Sequence, residues 1–286
     1  MTDVIIIGGG PAGVTAAIYT ARAGLETTII YKNFGALENA ERVDNFYGFT
    51  KISGKSLVQK GLRQARACGA KTVKNEVVGI SQTEGGIIVE TAIREYKTRT
   101  VVLATGANRS TPKIHGLADL AGRGISYCAI CDGFFYRGKD VAVLGNSAYA
   151  LHEIRDLLPI VSSVTLLTNG EELPENLPEA VIVRAEKIKE MASASSVFNG
   201  VIFENGEFLP LSGLFIAEGI AGGTELARRL GAIITPENSI KTDDNKRTNI
   251  PGIWAAGDCT GGLKQIAKAA HEGAAAGLSI VNSLRN

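Results

Sequence analysis

Apolar positions fall along this chain in short continuous runs separated by glycine-rich turns and small-residue helical stretches. Val4-Ile5-Ile6-Ile7 is unbroken apolar sequence, as a strand buried on both faces requires. Thr15 to Ala23 reads as a helix ended by Gly24, and Thr27-Thr28-Ile29-Ile30-Tyr31 returns as a strand. Together they make a βαβ unit of about thirty residues. Ser56 to Ala67 is helical, and Lys71 to Ile80, Gly86 to Ile93 and Tyr96 to Leu103 read as three short strands with Glu84-Gly85-Gly86 as a turn, a small antiparallel excursion from the main sheet.

The second half repeats this plan in abbreviated form. Asp140 to Leu144 reads as a strand, Ala148 to Leu158 as a helix and Ser163 to Leu167 as a strand. Short apolar runs follow between Val181 and Phe208, then Leu214 to Gly219. An internal duplication is implied. Asn249 to Asp258 reads as a strand ending in a turn, and Lys264 to Asn282 has the small, amphipathic pattern of a packed helix.

Composition adds mostly exclusions. With 286 residues, 45% hydrophobic and 21% charged, the chain is long enough for a sizeable core and has ordinary globular make-up. A formal charge of +1 without like-charge blocks gives no reason to invoke nucleic acid. No apolar run approaches the roughly 18 residues of a membrane span, and no basic leader precedes the first strand, so a cytoplasmic location is expected. Four cysteines are too few for a disulfide scaffold, whereas the close pair in Cys128-Ala129-Ile130-Cys131 reads as redox-active or metal-binding. Zinc is disfavoured because Cys68, Cys259, His115, His152 and His271 are scattered singly and supply no second ligand pair.

The chemistry sits at the turns. Gly8-Gly9-Gly10-Pro11-Ala12-Gly13 lies between strand and helix with dinucleotide-binding spacing. In such a loop Gly8 makes the tight turn, Gly10 lets backbone approach a pyrophosphate, and Gly13 lets helix and strand pack closely. The helix N-terminus then offers free N–H groups to the phosphates. The acidic ribose ligand expected about 20 residues on is replaced by Tyr31-Lys32. Ala104-Thr105-Gly106 ends a strand at the edge where open α/β sheets bind ligands. Asp258, taken alone, reads as a helix or turn cap.

Four ordered motifs, Gly8 to Gly13, Ala104-Thr105-Gly106, Ser126 to Phe135 and Ala255-Ala256-Gly257-Asp258 with Lys264-Gln265-Ile266, closely resemble the low-molecular-weight thioredoxin reductases over nearly the whole chain. The resemblance implies an α/β fold of two Rossmann-like three-layer nucleotide-binding domains, glutathione-reductase-like, the second inserted and shortened. Residues 1–112 and 220–286 would form the FAD-binding domain and 113–219 the redox-dithiol domain, in a homodimer. FAD would be held by Gly8, Gly10, Pro11, Ala12, Gly13, Tyr31, Lys32, Ala104, Thr105, Gly106, Gly257 and Lys264. Asp258 would bind the ribitol, Gln265 and Ile266 would face the isoalloxazine, and Asn45 matches the family's flavin-contacting asparagine. Cys131 would face the flavin, Cys128 would attack the substrate disulfide and Asp132 would carry the proton. Cys68 is expected in the core, and Cys259 is expected to be structural though near the cofactor.

The chain departs from that family where a nicotinamide would bind. Typical members carry Gly-x-Gly-x-x-Ala in the second domain and a His-Arg-Arg cluster after its second strand. Here the loop is Gly145-Asn146-Ser147-Ala148-Tyr149-Ala150, and Thr168-Asn169-Gly170-Glu171-Glu172 puts carboxylates where guanidinium groups would meet a 2′-phosphate. Losing several charge-assisted bonds at about 1.5–3 kcal/mol each weakens binding by orders of magnitude. The pattern is most similar to the ferredoxin-dependent flavin thioredoxin reductases. That resemblance implies thioredoxin as substrate and reduced ferredoxin as donor, with surface cations such as Arg109, Lys113, Arg137, Lys139 and Lys264 available for docking. The alternatives are a reductase using another donor, a second flavin or NADPH, and a non-catalytic flavin redox sensor.

Overall fold

In the computed structural model, which describes residues 1–106, 112–218 and 223–285, the chain divides into two compact units, 1–109 with 222–286 and 110–221. The first begins with β1 (Thr2–Ile7), α1 (Pro11–Arg22) and β2 (Thr27–Tyr31). Pro11 stands at the first helical position, where its missing N–H costs nothing. After α2 (Gly54–Ala67), capped by the Ser53 hydroxyl accepting from the Ser56 N–H, come β3 (Lys71–Lys74), β4 (Val77–Thr83), β5 (Gly86–Thr91) and β6 (Glu95–Leu103).

The stretch expected as one strand from Lys71 to Ile80 is therefore two. β3 pairs parallel with β2, while β4 pairs antiparallel with β5. The break falls at Asn75 and Glu76. The Asn75 amide donates to the Thr91 hydroxyl and its side-chain oxygen accepts from the Glu76 N–H, bonds that replace the ladder where the chain leaves β3 at one end of the sheet for β4 at the other.

The second unit holds β7 (Ile125–Ser126), α3 (Ala129–Asp132), β8 (Asp140–Leu144), α4 (Ala148–Leu157), β9 (Ser163–Leu167), β10 (Ile182–Arg184), β11 (Ile188–Ala194), β12 (Val197–Phe203), β13 (Phe208–Pro210) and β14 (Gly213–Ile216). The chain returns to the first unit through α5 (Gly223–Arg229), β15 (Ile253–Ala255) and α6 (Ile266–Arg285). α3 places the dithiol at a helix N-terminus, with Cys128 as its cap. α5 was not expected from the sequence, being too short to show a helical period.

The two units repeat one topology. In the first, the sheet order is β3-β2-β1-β6-β5-β4 with β15 beside β6. In the second it is β10-β9-β8-β14-β7, with β11-β12-β13 as a separate antiparallel sheet. Thus β1, β2, β3, β6 and β15 correspond to β8, β9, β10, β14 and β7. The glycines ending β1 and β8 are equivalent too: a Cβ on Gly8 would meet the Ala104 carbonyl oxygen at 2.1 Å, and one on Gly145 the Ala217 oxygen at 2.3 Å.

Each unit has its own core. In the first, Val4, Ile6, Ile29, Val102 and Trp254 of the sheet pack with Ala16, Val58, Leu62, Ala276 and Ile280 from α1, α2 and α6. α6 lies hard against α1 because Gly273 and Gly277 have no side chain: a Cβ on Gly273 would stand 2.1 Å from the Ala12 oxygen. In the second, Leu117, Leu144, Leu167, Phe203 and Leu214 are fully buried in one cluster. No helix among the described residues is long and apolar enough to cross a membrane.

Candidate active site

In the first unit the Gly8–Gly13 loop closes because its glycines are in mutual contact. Gly8 has φ +119°, and a Cβ on Gly13 would lie 2.0 Å from the Gly8 oxygen. Gly10 differs: nothing stands within 4 Å of where its Cβ would be, and it caps α1 with no side-chain bond to the first-turn N–H groups. A tight loop, an open face at the third glycine and uncapped helix donors together suit a pyrophosphate. Tyr31 packs its ring against Gly9 and stacks on Phe34 at 6.1 Å. Lys32 is held by Glu76 at 2.8 Å, so the basic residue at the ribose position is already ion-paired.

Other candidate flavin residues of this unit come from distant parts of the chain. The Asn45 amide donates to the Gln265 side chain at 3.1 Å, uniting residues separated by 220 positions just before α6 begins at Ile266. Ala104 is buried at the end of β6, and Gly106 turns with φ +82°. Thr105 between them keeps a buried hydroxyl with no hydrogen-bond partner among the described residues. Such a group is costly unless a ligand completes it.

Asp258 opens a one-turn 3₁₀ helix after Gly257, whose φ is +91° and whose missing Cβ admits Ala12. Glu272 of α6, 6% exposed, shapes this loop. Its carboxylate accepts from the Gly257 N–H and the Thr260 hydroxyl, each at 2.8 Å, and is paired with Lys268 and Lys246. Lys268 also donates to the Gly257 and Gly261 oxygens. Burial pushes the Glu272 carboxyl up, but the bonds from Lys268, Thr260, Gly257 and Lys246 outweigh it and hold the carboxyl below its ordinary range. Neither Glu272 nor Lys268 was singled out from the sequence. An acidic residue inside a small-residue helix is the only signal they leave. Lys264 and Gln265 are exposed.

In the second unit Cys128 and Cys131 form a disulfide. The Cys128 sulfur accepts from the Cys131 N–H at 3.2 Å. The two sulfurs differ in access: Cys128 is 3% exposed, whereas Cys131 lies in the exposed class between Ile130 (61%) and Phe134 (64%). Cys128 is thus the more enclosed residue of the pair, and its sulfur is the one that receives a backbone N–H. Asp132 is oriented by Ser126, whose hydroxyl donates to its carboxylate at 2.6 Å and accepts from the Cys128 N–H at 3.1 Å. Ser126 belonged to the recognised motif but carried no assigned role.

The other cysteines are bystanders. Cys259 is 1% exposed, its thiol donates to the Leu103 and Ala256 oxygens, and burial pushes its pKa up to about 12. Cys68 caps the end of α2 and is only half-buried, not a core residue as expected, since the helix ends there and turns its last residues to the surface. His152 lies 3.7 Å from Asp156 one turn on. Among the described residues, no cluster of His, Cys, Asp or Glu could hold a metal.

The corresponding loop of the second unit has a different sequence. Tyr149 in the first turn of α4, 2% exposed, donates its hydroxyl to the Tyr127 oxygen at 3.3 Å. Ser147 caps α4 without a side-chain bond, and the Thr168 hydroxyl after β9 is likewise buried and unpartnered among the described residues. Glu171 and Glu172 are exposed just beyond. Of the proposed docking cations, Lys113, Arg137, Lys139 and Lys264 are exposed, and Arg109 lies outside the described residues.

A family model described as Pyridine nucleotide-disulphide oxidoreductase matches residues 2–273. The thioredoxin reductase of Bacillus subtilis is 34% identical over 296 residues, covering 97% of this chain and 93% of that protein. The crystal structure of the atypical thioredoxin reductase TRi from Desulfovibrio vulgaris Hildenborough matches with a TM-score of 0.93 at 36% identity, over 100% of this chain and 98% of the other. A ferredoxin-flavin thioredoxin reductase from Clostridium acetobutylicum matches with a TM-score of 0.73 at 28% identity, over 99% and 98%. With a dinucleotide-type glycine loop in one unit and a disulfide between Cys128 and Cys131 in the other, the chain belongs to the pyridine nucleotide-disulphide oxidoreductase family, as an FAD-dependent disulfide oxidoreductase of the thioredoxin reductase group.

Proposed function

We propose that this protein reduces the disulfide of thioredoxin with electrons taken from reduced ferredoxin and not from NADPH. The observation that carries the reading is the contrast between its two nucleotide loops. Gly10 leaves the first open, while the second carries a side chain, Ser147, at the corresponding position, with Glu171 and Glu172 where cations would meet a ribose phosphate. A dinucleotide phosphate would meet a side chain and like charge in place of glycine and cationic donors.

Residues 1–112 with 220–286 serve as the FAD domain and 113–219 as the dithiol domain. The glycine loop with Pro11 and Ala12 would hold the pyrophosphate, Tyr31 and Lys32 the adenosine end, Ala104, Thr105 and Gly106 the strand-end edge, and Gly257 and Asp258 the ribitol. Asn45, Lys264, Gln265 and Ile266 would border the ring. When bound, FAD supplies a relay that accepts electrons singly and delivers them to a disulfide as a pair. From the reduced dithiol, the Cys128 thiolate, stabilised by the Cys131 N–H, attacks one sulfur of the thioredoxin disulfide, breaking that bond and releasing a thiolate that Asp132 protonates. The Cys131 thiolate, on the flavin side of the pair, then attacks the Cys128 sulfur. This restores the internal disulfide and releases the second thioredoxin thiol, two electrons having passed. Two reduced ferredoxins and two protons regenerate the dithiol.

Exposed Ile130, Phe134 and Phe135 beside Arg137 and Lys139 suit a protein partner at this face. A homodimer acting in the cytoplasm completes the proposal. The decisive experiment is anaerobic reduction of the purified flavoprotein by NADPH, NADH or reduced ferredoxin, with thioredoxin reduction followed in each. Ferredoxin alone should support turnover, and rapid flavin reduction by micromolar NADPH would return the chain to the ordinary reductases.

A further inference from the structure

The redox segment has little secondary structure of its own: β7 is two residues long and α3 four. Its backbone groups around Cys128 are nevertheless all engaged. The Cys128 N–H donates to Ser126, and the Cys128 oxygen accepts from the Asp132 N–H at 3.1 Å. The groups on either side go to α4. The Tyr127 oxygen accepts from the Tyr149 hydroxyl, and the Ala129 N–H donates to the Glu153 carboxylate. Tyr149 and Glu153 are four residues apart, hence on one face of the helix, and are 2% and 1% exposed.

We infer that α4, the helix whose N-terminus would meet the pyrophosphate in a nucleotide-binding unit, serves here as a clamp on the dithiol, with Tyr149 and Glu153 as positioning residues for Cys128. Two bonds from one rigid face straddle a single cysteine, so they fix its backbone where its own short turn cannot. The clamp favours the closed disulfide: in the dithiol the sulfurs no longer need to be held at bonding distance, and the same bonds contribute less. This rests on Cys128–Cys131 being the exchanging pair, though not on the identity of the electron donor.

The test is equilibration of the holoenzyme with glutathione buffers. One internal disulfide and two glutathione thiols give the dithiol and one glutathione disulfide, and the ratio is read by alkylation and mass spectrometry. Glu153→Ala orphans a buried N–H and should move the equilibrium toward dithiol by about tenfold or more. Glu153→Gln keeps an acceptor oxygen and should restore it to within about threefold of wild type. Tyr149→Phe keeps the ring and removes one bond, for a shift of roughly two- to tenfold, and carries the test if Glu153→Ala does not fold. Lower thermal stability with unchanged equilibria in Tyr149→Phe and in whichever Glu153 variant folds would reduce both residues to packing and overturn the clamp. Wild-type enzyme that equilibrates normally but fails to reduce thioredoxin would sink the proposed function and leave the clamp standing.

Discussion

Cys128 and Cys131 are three residues apart yet unequally placed, one buried with its sulfur accepting from the other's N–H, one exposed. Cys131→Ser should accumulate a mixed disulfide between Cys128 and thioredoxin that peptide mapping identifies, while Cys128→Ser should form none. The opposite pattern would give first attack to Cys131. Asp132→Asn should lower thioredoxin turnover by about 10²–10⁴-fold, the range of a lost acid–base group, in a stopped-flow assay that leaves flavin absorbance unchanged. Ser126, which orients that carboxylate at 2.6 Å, acts on the same step at one remove. Cys259 should resist alkylation in the native protein, since burial holds its pKa near 12.

At the scale of elements, the 257–261 loop and α6 act together through Glu272. Glu272→Gln removes the charge that Lys246 and Lys268 pair with, and breaking a buried pair by removing one partner costs about 3–5 kcal/mol. The variant should lose FAD on gel filtration and melt earlier. The pH dependence has a definite sign. The folded-state pKa of Glu272 lies below its ordinary 4.5, so its stabilisation is fully present above 4.5 and lost as pH falls through the folded value. The stability gap between wild type and Glu272→Gln, measured by denaturant titration, should be level near neutrality and close in acid. A gap that widened below 4.5 would contradict the pairing. Gly13→Ala should abolish flavin retention outright, since its Cβ would stand 2.0 Å from backbone oxygen.

For the molecule as a whole, the duplicated topology gives two nucleotide-type loops from one plan, of which one keeps its glycines and the other does not. Ser147→Gly should not restore NADPH use, measured as flavin bleaching, because Glu171 and Glu172 stay in place. Docking of reduced ferredoxin to surface cations should weaken as salt rises, exposed charges being screened beyond about 10 Å at 0.1 M. Salt-independent reduction rates would assign the donor surface to apolar contacts such as Phe134 and Phe135.

What the sequence determined alone were the features encoded within a few adjacent residues. The apolar runs marked β1, β2, β8 and β9, whose burial on both faces leaves no alternation to misread. The glycine loop and the Cys128–Cys131 spacing were equally legible, since turn geometry and disulfide reach are local properties. The break at Asn75 was not, because it is made by a bond to Thr91 on another strand. Nor were the Asn45–Gln265 bond, the Glu272–Lys246 pair, the inequality of the two sulfurs or the grip of α4 on Cys128. Each depends on which distant side chains reach the same buried backbone group, and only tertiary packing brings those partners within hydrogen-bonding distance.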